Sequence, residues 1–284
     1  MSKIALMTDS NSGLTQAQAK AEEIFVVPMP FSINSQTYFE DIDLTQDRFF
    51  EFLEKGATVS TSQPAPGDLV KLWDEVLQDY DQIIHIPMSS GLSGSYENAY
   101  MLAQDYEGKV IVVDCKRISV SQKGIVNDAK KLIASGLDAL SIKEKLEAHA
   151  LKSSIYVTVT TLEYLKKGGR ITPAVALLGG MLKIKPILVV KGEKIDSFSK
   201  SRTMSKAYKI MLEAIENDIT TLLDQGCEYK IAIAYSKDIE AAKELKEIVA
   251  TKYPNIEIDI DAISLSVACH TGPGTIGIGV YQVL

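Results

Sequence analysis

Residues 83–99 read IIHIPMSSGLSGSYENA. An apolar, β-branched run from Ile83 to Met88 stops at a loop of serine and glycine, and a helical pattern begins at Tyr96. A strand with apolar residues on both faces must be covered on both faces, which is the situation of a parallel sheet flanked by helices. Similar units recur along the first half. Strands are expected at 3–8, 24–31, 83–88 and 109–114. Helices are expected at 44–54, 69–77, 96–106, 120–134 and 142–151. Such alternation predicts an α/β fold with a mostly parallel N-terminal sheet.

The second half reads differently. Strands are expected at 154–160, 230–235, 256–263 and 275–283, with a hairpin of 184–190 and 194–199 around Gly192. Pro186 predicts an edge position for the first hairpin strand. Helices are expected at 162–167, closed by Gly168, and at 205–216 and 239–251. Another should start at Thr172-Pro173 and stop at Gly179-Gly180. The small apolar residues of 174–182 would line a narrow slot. A mixed sheet with helices follows. The chain of 284 residues therefore divides into an N-terminal α/β lobe, 1–153, and a C-terminal α/β lobe, 154–284.

Charge narrows the partners. The formal net charge of −7 argues against nucleic acid. Against that background, residues 166–206 hold ten basic residues and two acidic ones, a surface suited to an acidic partner or a phosphate group. Three widely spaced cysteines with no C-x-x-C pair fit a reducing cytoplasm better than a disulfide framework or a zinc site. No basic-then-apolar leader opens the chain, which points away from secretion. The longest apolar region, 174–190, is too charged to span a bilayer.

Four loops share hydroxyls and glycine: TDSNSG at 8–13, STSQP at 60–64, SSGLSGS at 89–95 and CHTGPGT at 269–275. Several follow strands, where α/β sheets bind ligands. Ser93 would cap a helix beginning near Gly94, while Ser89 and Ser90 add donors with no capping duty. Gly91-Leu92-Ser93-Gly94-Ser95 falls one residue short of a nucleophile elbow, so an esterase or thioesterase using Ser93 and His270 is an alternative reading. A small-metabolite or sugar-phosphate sensor using these loops and the basic stretch is a third. His85 is a core or surface histidine in mid-strand, and Asp9 braces its loop. His270, beside Thr271-Gly272-Pro273-Gly274, is placed to donate to a carboxylate. No metal-ligand set and no nucleotide-binding glycine motif is present, so no cofactor is expected.

Together these segments resemble the DegV family of bacterial fatty-acid-binding proteins. The resemblance rests on Thr8-Asp9-Ser10, Thr61-Ser62-Gln63-Pro64, 89–96, Leu165 to Ile171 and His270 to Gly274, all in family order. Departures are Ser95 and Cys269 where threonine is common, and Thr172 where serine is common. The resemblance implies two α/β lobes with one long-chain fatty acid between them. It implies that Thr61, Ser62, Ser93, Gly94, His270 and Thr271 surround the carboxylate. It further implies a non-catalytic carrier subunit of a fatty acid kinase, whose separate ATP-binding subunit makes an acyl phosphate for phospholipid synthesis. Arg170 and Arg202 would face that partner.

Overall fold

A computed structural model describes residues 2–170, 172, 184–192 and 194–284. Four strands, β1 (Ile4–Asp9), β2 (Ile24–Val27), β6 (Gln82–Ile86) and β7 (Val110–Val112), form an all-parallel sheet in the order β2-β1-β6-β7. Alternate residues point to opposite faces. Leu6, Ile84 and Ile111 pack with α5 (Ser119–Ala134) and α6 (Ala139–Ala148). Met7, Ile83 and Val112 pack with α3 (Pro66–Val76) and α4 (Ser95–Ala103). Helices thus cover both faces, as the unbroken apolar strands require. Thr15 caps the short α1 (Gln16–Ala21) in a reciprocal box with Gln18.

The run expected as one strand at 24–31 is two. After β2 the chain turns at Pro28-Met29, and β3 (Pro30–Ile33) joins a separate antiparallel sheet. Its partners are β4 (Gln36–Phe39) and β5 (Val59–Thr61), both too short and polar to be signalled by periodicity. The helix α2 (Gln46–Glu54) bridges β4 and β5, capped by Thr45.

The second half builds a six-stranded mixed sheet. Its strands are β8 (Ser153–Thr158), β9 (Lys185–Lys191), β10 (Lys194–Ser201), β11 (Tyr229–Tyr235), β12 (Ile258–Ala262) and β13 (Ile276–Gln282). The order is β10-β9-β8-β13-β11-β12. The hairpin around Gly192 forms, but its first strand is interior. β8 pairs with β9 over Ile187–Val190 only, so Pro186 faces β10 alone and costs the β8 ladder no hydrogen bond. β10 is the edge. The helix expected at 205–216 runs on as α8 (Met204–Asp224), and with α9 (Ile239–Lys252) it covers one face. α7 (Glu163–Lys167) ends at Gly168 as expected. The helix expected from Thr172-Pro173 and the slot at 174–182 lie outside the described residues.

The opposite face of the mixed sheet meets the first half. Phe31, Phe49, Phe50 and Val120 share one cluster with Ile155, Ala234, Ile263 and Leu265. The helix α5 sends Ile125, Val126 and Ala129 toward the parallel sheet. Its contact with β13 is close because residue 124 is glycine: a Cβ there would lie 2.3 Å from the Tyr281 ring. Residues 269–271, expected as the start of a loop, instead close a two-turn helix, α10 (Leu265–Thr271), packed on α7, β3 and β5.

Candidate functional site

Three segments from distant parts of the chain converge on one cavity of about 180 Å³. The end of β5 brings Thr61, Ser62 and Gln63. The loop between β6 and α4 brings Met88, Leu92, Ser93 and Gly94. The helix α10 brings Ser266, Val267, His270 and Thr271. All six residues expected around a ligand head (Thr61, Ser62, Ser93, Gly94, His270, Thr271) line this cavity. No aspartate or glutamate lines it among the described residues. Arg170 does, bonded through Nη1 to the Gly168 carbonyl at 2.7 Å. Arg202 is exposed just beyond β10 and lies outside the cavity wall.

Thr61 is fixed by the ladder, opposite Phe31 of β3, and the Ser62 N–H donates to the Pro30 carbonyl at 3.2 Å. The Thr61 hydroxyl and His270 Nε2 are hydrogen-bonded at 2.8 Å. The other ring nitrogen, Nδ1, is buried without a protein partner among the described residues. The ring packs against Gly168 at the end of α7, where a Cβ would stand 2.0 Å from Nδ1. Burial, and secondarily the Arg170 charge, push the His270 pKa down to about 4, so the ring is neutral near pH 7. Thr271 Oγ1, also on the cavity wall, is likewise buried with no partner among the described residues. The site therefore holds polar atoms whose hydrogen-bonding capacity the protein leaves unused, and buried polar atoms in that state favour a bound partner.

The serine loop is braced, not loose. The Ser93 hydroxyl pairs with that of Ser95 at 2.8 Å and accepts the Ser95 N–H at 3.2 Å. Gly94, not Ser93, is the N-cap residue of α4, so the expected capping role is corrected by one position. Ser89 and Ser90 are already committed. Ser89 Oγ donates to the Gly192 carbonyl at 3.1 Å, tying the loop to the second-half hairpin. Ser90 Oγ donates to Asp114 at 2.7 Å and accepts from Lys116 at 2.7 Å. Asp9 braces as expected. Its carboxylate accepts from the Asn11 and Met88 N–H groups at 3.0 and 2.8 Å and from Gln122 at 3.1 Å. Burial pushes its pKa up to about 6.

A serine hydrolase needs its histidine on the nucleophile and an acid on the far nitrogen. Here Nε2 is bonded to Thr61, Ser93 to Ser95, and no acid meets Nδ1 among the described residues. The near-elbow sequence thus folds without hydrolase geometry. Nor do the described residues hold three or more His, Cys, Asp or Glu grouped to bind a metal.

Beside the polar cavity lies a smaller apolar one of about 60 Å³. Leu92, Ile118, Ile195, Val267 and Thr271 belong to both walls, so the two adjoin. The floor of the apolar cavity is one cross-strand row, Ala234–Gly277–Val157–Leu188, running over four strands. Small residues at Ala234 and Gly277 leave the space. Sequence reasoning missed this floor, together with Asn11, Met29 and Ile195. Only Asn11 had a local signal, within the TDSNSG loop.

The family profile described as "Uncharacterised protein, DegV family" matches residues 3–283. A DegV domain-containing protein of Staphylococcus aureus is 30% identical over 282 residues, covering 99% of this chain and 100% of its own. A solved structure of a fatty-acid-binding DegV family protein from Thermus thermophilus superposes with a TM-score of 0.89 at 31% identity, covering 99% of this chain and 100% of that one. The structure of DegV of Bacillus subtilis, described as a fatty acid binding protein, superposes at 0.86 with 30% identity over 99% and 100% of the two chains. The chain belongs to the DegV family. None of its described helices is long and apolar enough to cross a membrane.

Proposed function

We propose that this protein binds one long-chain fatty acid between its lobes, 1–153 and 154–284. The carboxylate sits among Thr61, Ser62, Ser93, Gly94, His270 and Thr271, and the tail starts into the apolar cavity, whose volume of about 60 Å³ must widen to take a long chain. The supporting observation is the adjoining pair of cavities: a polar one free of carboxylates among the described residues, sharing wall residues with an apolar one. Burial of each CH₂ gains about 0.8 kcal/mol, so a chain of about sixteen carbons gains roughly 12 kcal/mol before ordering costs. The carboxylate loses hydration on the way in, and hydroxyls, backbone N–H groups and a neutral imidazole replace it. Arg170, read from sequence as facing a partner, lines this cavity and adds a positive charge at its rim. The relatives from Thermus thermophilus and Bacillus subtilis are described as binding fatty acid, which supports the same ligand here.

The protein acts as a non-catalytic carrier in the cytoplasm. A separate ATP-dependent fatty acid kinase subunit phosphorylates the presented carboxylate, and the acyl phosphate feeds phospholipid synthesis. Arg202 and the basic stretch at 166–206 engage that subunit.

Protein purified under mild conditions from a bacterial host is expected to release about one equivalent of long-chain fatty acid into solvent, read by mass spectrometry. No fatty acid in the extract, and none taken up on addition, rejects the reading. With an ATP-binding kinase subunit present, Arg202→Ala should lower acyl phosphate yield while fatty acid content stays at one equivalent.

A further inference from the structure

We propose that Glu40 is a positioning residue for the His270 wall of the cavity: from the end of β4 it holds the first turn of α10. Its link to ligand affinity rests on the fatty-acid reading above, while its link to His270 does not.

The helix α10 has seven residues and weak means of its own to stay folded. Its N-cap residue, Ser264, makes no side-chain cap. The Ser264 hydroxyl points elsewhere, to Asn11 Oδ1 at 3.3 Å, and Ser266 donates to the same oxygen at 2.5 Å. The first free N–H of the helix, that of Leu265, goes instead to Glu40 Oε2 at 2.8 Å. The other carboxylate oxygen accepts from Gln46 Nε2 at 2.7 Å, and that same nitrogen donates to the Ile263 carbonyl at 3.0 Å. One carboxylate and one amide therefore grip the chain on both sides of Ser264. Asn11 grips it from the parallel-sheet side.

The consequence lies at the other end of the helix. His270 and Thr271 form the last turn, and seven residues span only about 10 Å. The helix behaves as a short rigid lever, so a shift of its first turn is passed to the ring that must meet Thr61. Glu40 lines neither of the two adjoining cavities. Its effect travels through backbone.

The test uses the full chain labelled with ¹⁵N at histidine. Glu40→Ala removes the grip. We expect the His270 ring nitrogen resonances to move away from their wild-type positions, and fatty acid affinity to fall about tenfold, with helix content unchanged by circular dichroism. Glu40→Gln keeps one acceptor oxygen and should recover most of both. Wild-type His270 resonances and wild-type affinity in Glu40→Ala overturn the proposal. If wild-type protein takes up no fatty acid, the ligand reading fails, and the His270 resonances alone still decide the role of Glu40. If Glu40→Ala does not fold, Glu40→Asp carries the test: it keeps the charge, retracts it by one carbon, and should displace the same resonances.

Discussion

Replacing Thr61, Ser93 and His270 together by alanine is expected to weaken long-chain fatty acid binding at least a hundredfold, about 2.7 kcal/mol. Each of these groups faces the cavity, and hydrogen bonds to a charged group contribute about 1.5–3 kcal/mol each. Water entering the truncated site recovers part of the loss, so the three do not add in full. The apolar cavity is untouched by these changes. The methyl ester of the same fatty acid, which lacks the charge, should therefore lose only a few-fold. Isothermal titration with both ligands measures the contrast. Equal losses for acid and ester, or none for the acid, would remove the assignment of these residues to the head.

The second large effect concerns acid. His85 lies in mid-strand in β6, fully buried, with its ring edge-on to Trp73 at 5.7 Å between centroids. Neither ring nitrogen has a partner among the described residues. Burial pushes its pKa down from 6.5 to about 3. A base with a depressed folded pKa contributes stability that is complete above the unfolded pKa and is lost as pH falls toward the folded one. At about 1.4 kcal/mol per pH unit, His85 withdraws about 4 kcal/mol between pH 6.5 and 3.5. That is a large share of an ordinary domain's stability. His270 works in the same direction, its pKa lying near 4.

Asp9 and Glu40 work against them. Burial raises their pKa values from 3.8 and 4.5 to about 6 and 7. Their contribution is complete below the unfolded values and is lost as pH rises through the folded ones. The opposing pairs flatten the profile between about pH 6.5 and 4.5, and the histidines dominate below it. His85→Leu keeps the volume and removes the proton site. Its stability advantage over wild type should be about 4 kcal/mol greater at pH 3.5 than at pH 7, by urea unfolding at each pH. An advantage independent of pH would show that His85 does not titrate in this range.

The sequence carried the α/β class and the polar half of the site, because both have local signatures. Unbroken apolar strands marked the parallel sheet, and hydroxyl-rich loops marked Thr61, Ser93 and His270. What it hid depends on distant parts of the chain. Residues 24–31 form one apolar run, yet they serve two sheets, and only Pro28 and Pro30 hint at the turn. Ser264 precedes α10 but does not cap it, and its first N–H is taken by Glu40, far away in the chain. The apolar floor needs the strand order before Ala234 and Gly277 become neighbours. Ser90 seemed free because Asp114, its acceptor, comes from the next strand's loop.

The helix α5 lies in contact with strands of both large sheets. Prising the halves apart would strip it of hydrophobic neighbours on two sides at once. A clamshell opening would thus expose apolar surface on two sides of one helix, a cost that displacement of a single rim loop does not carry.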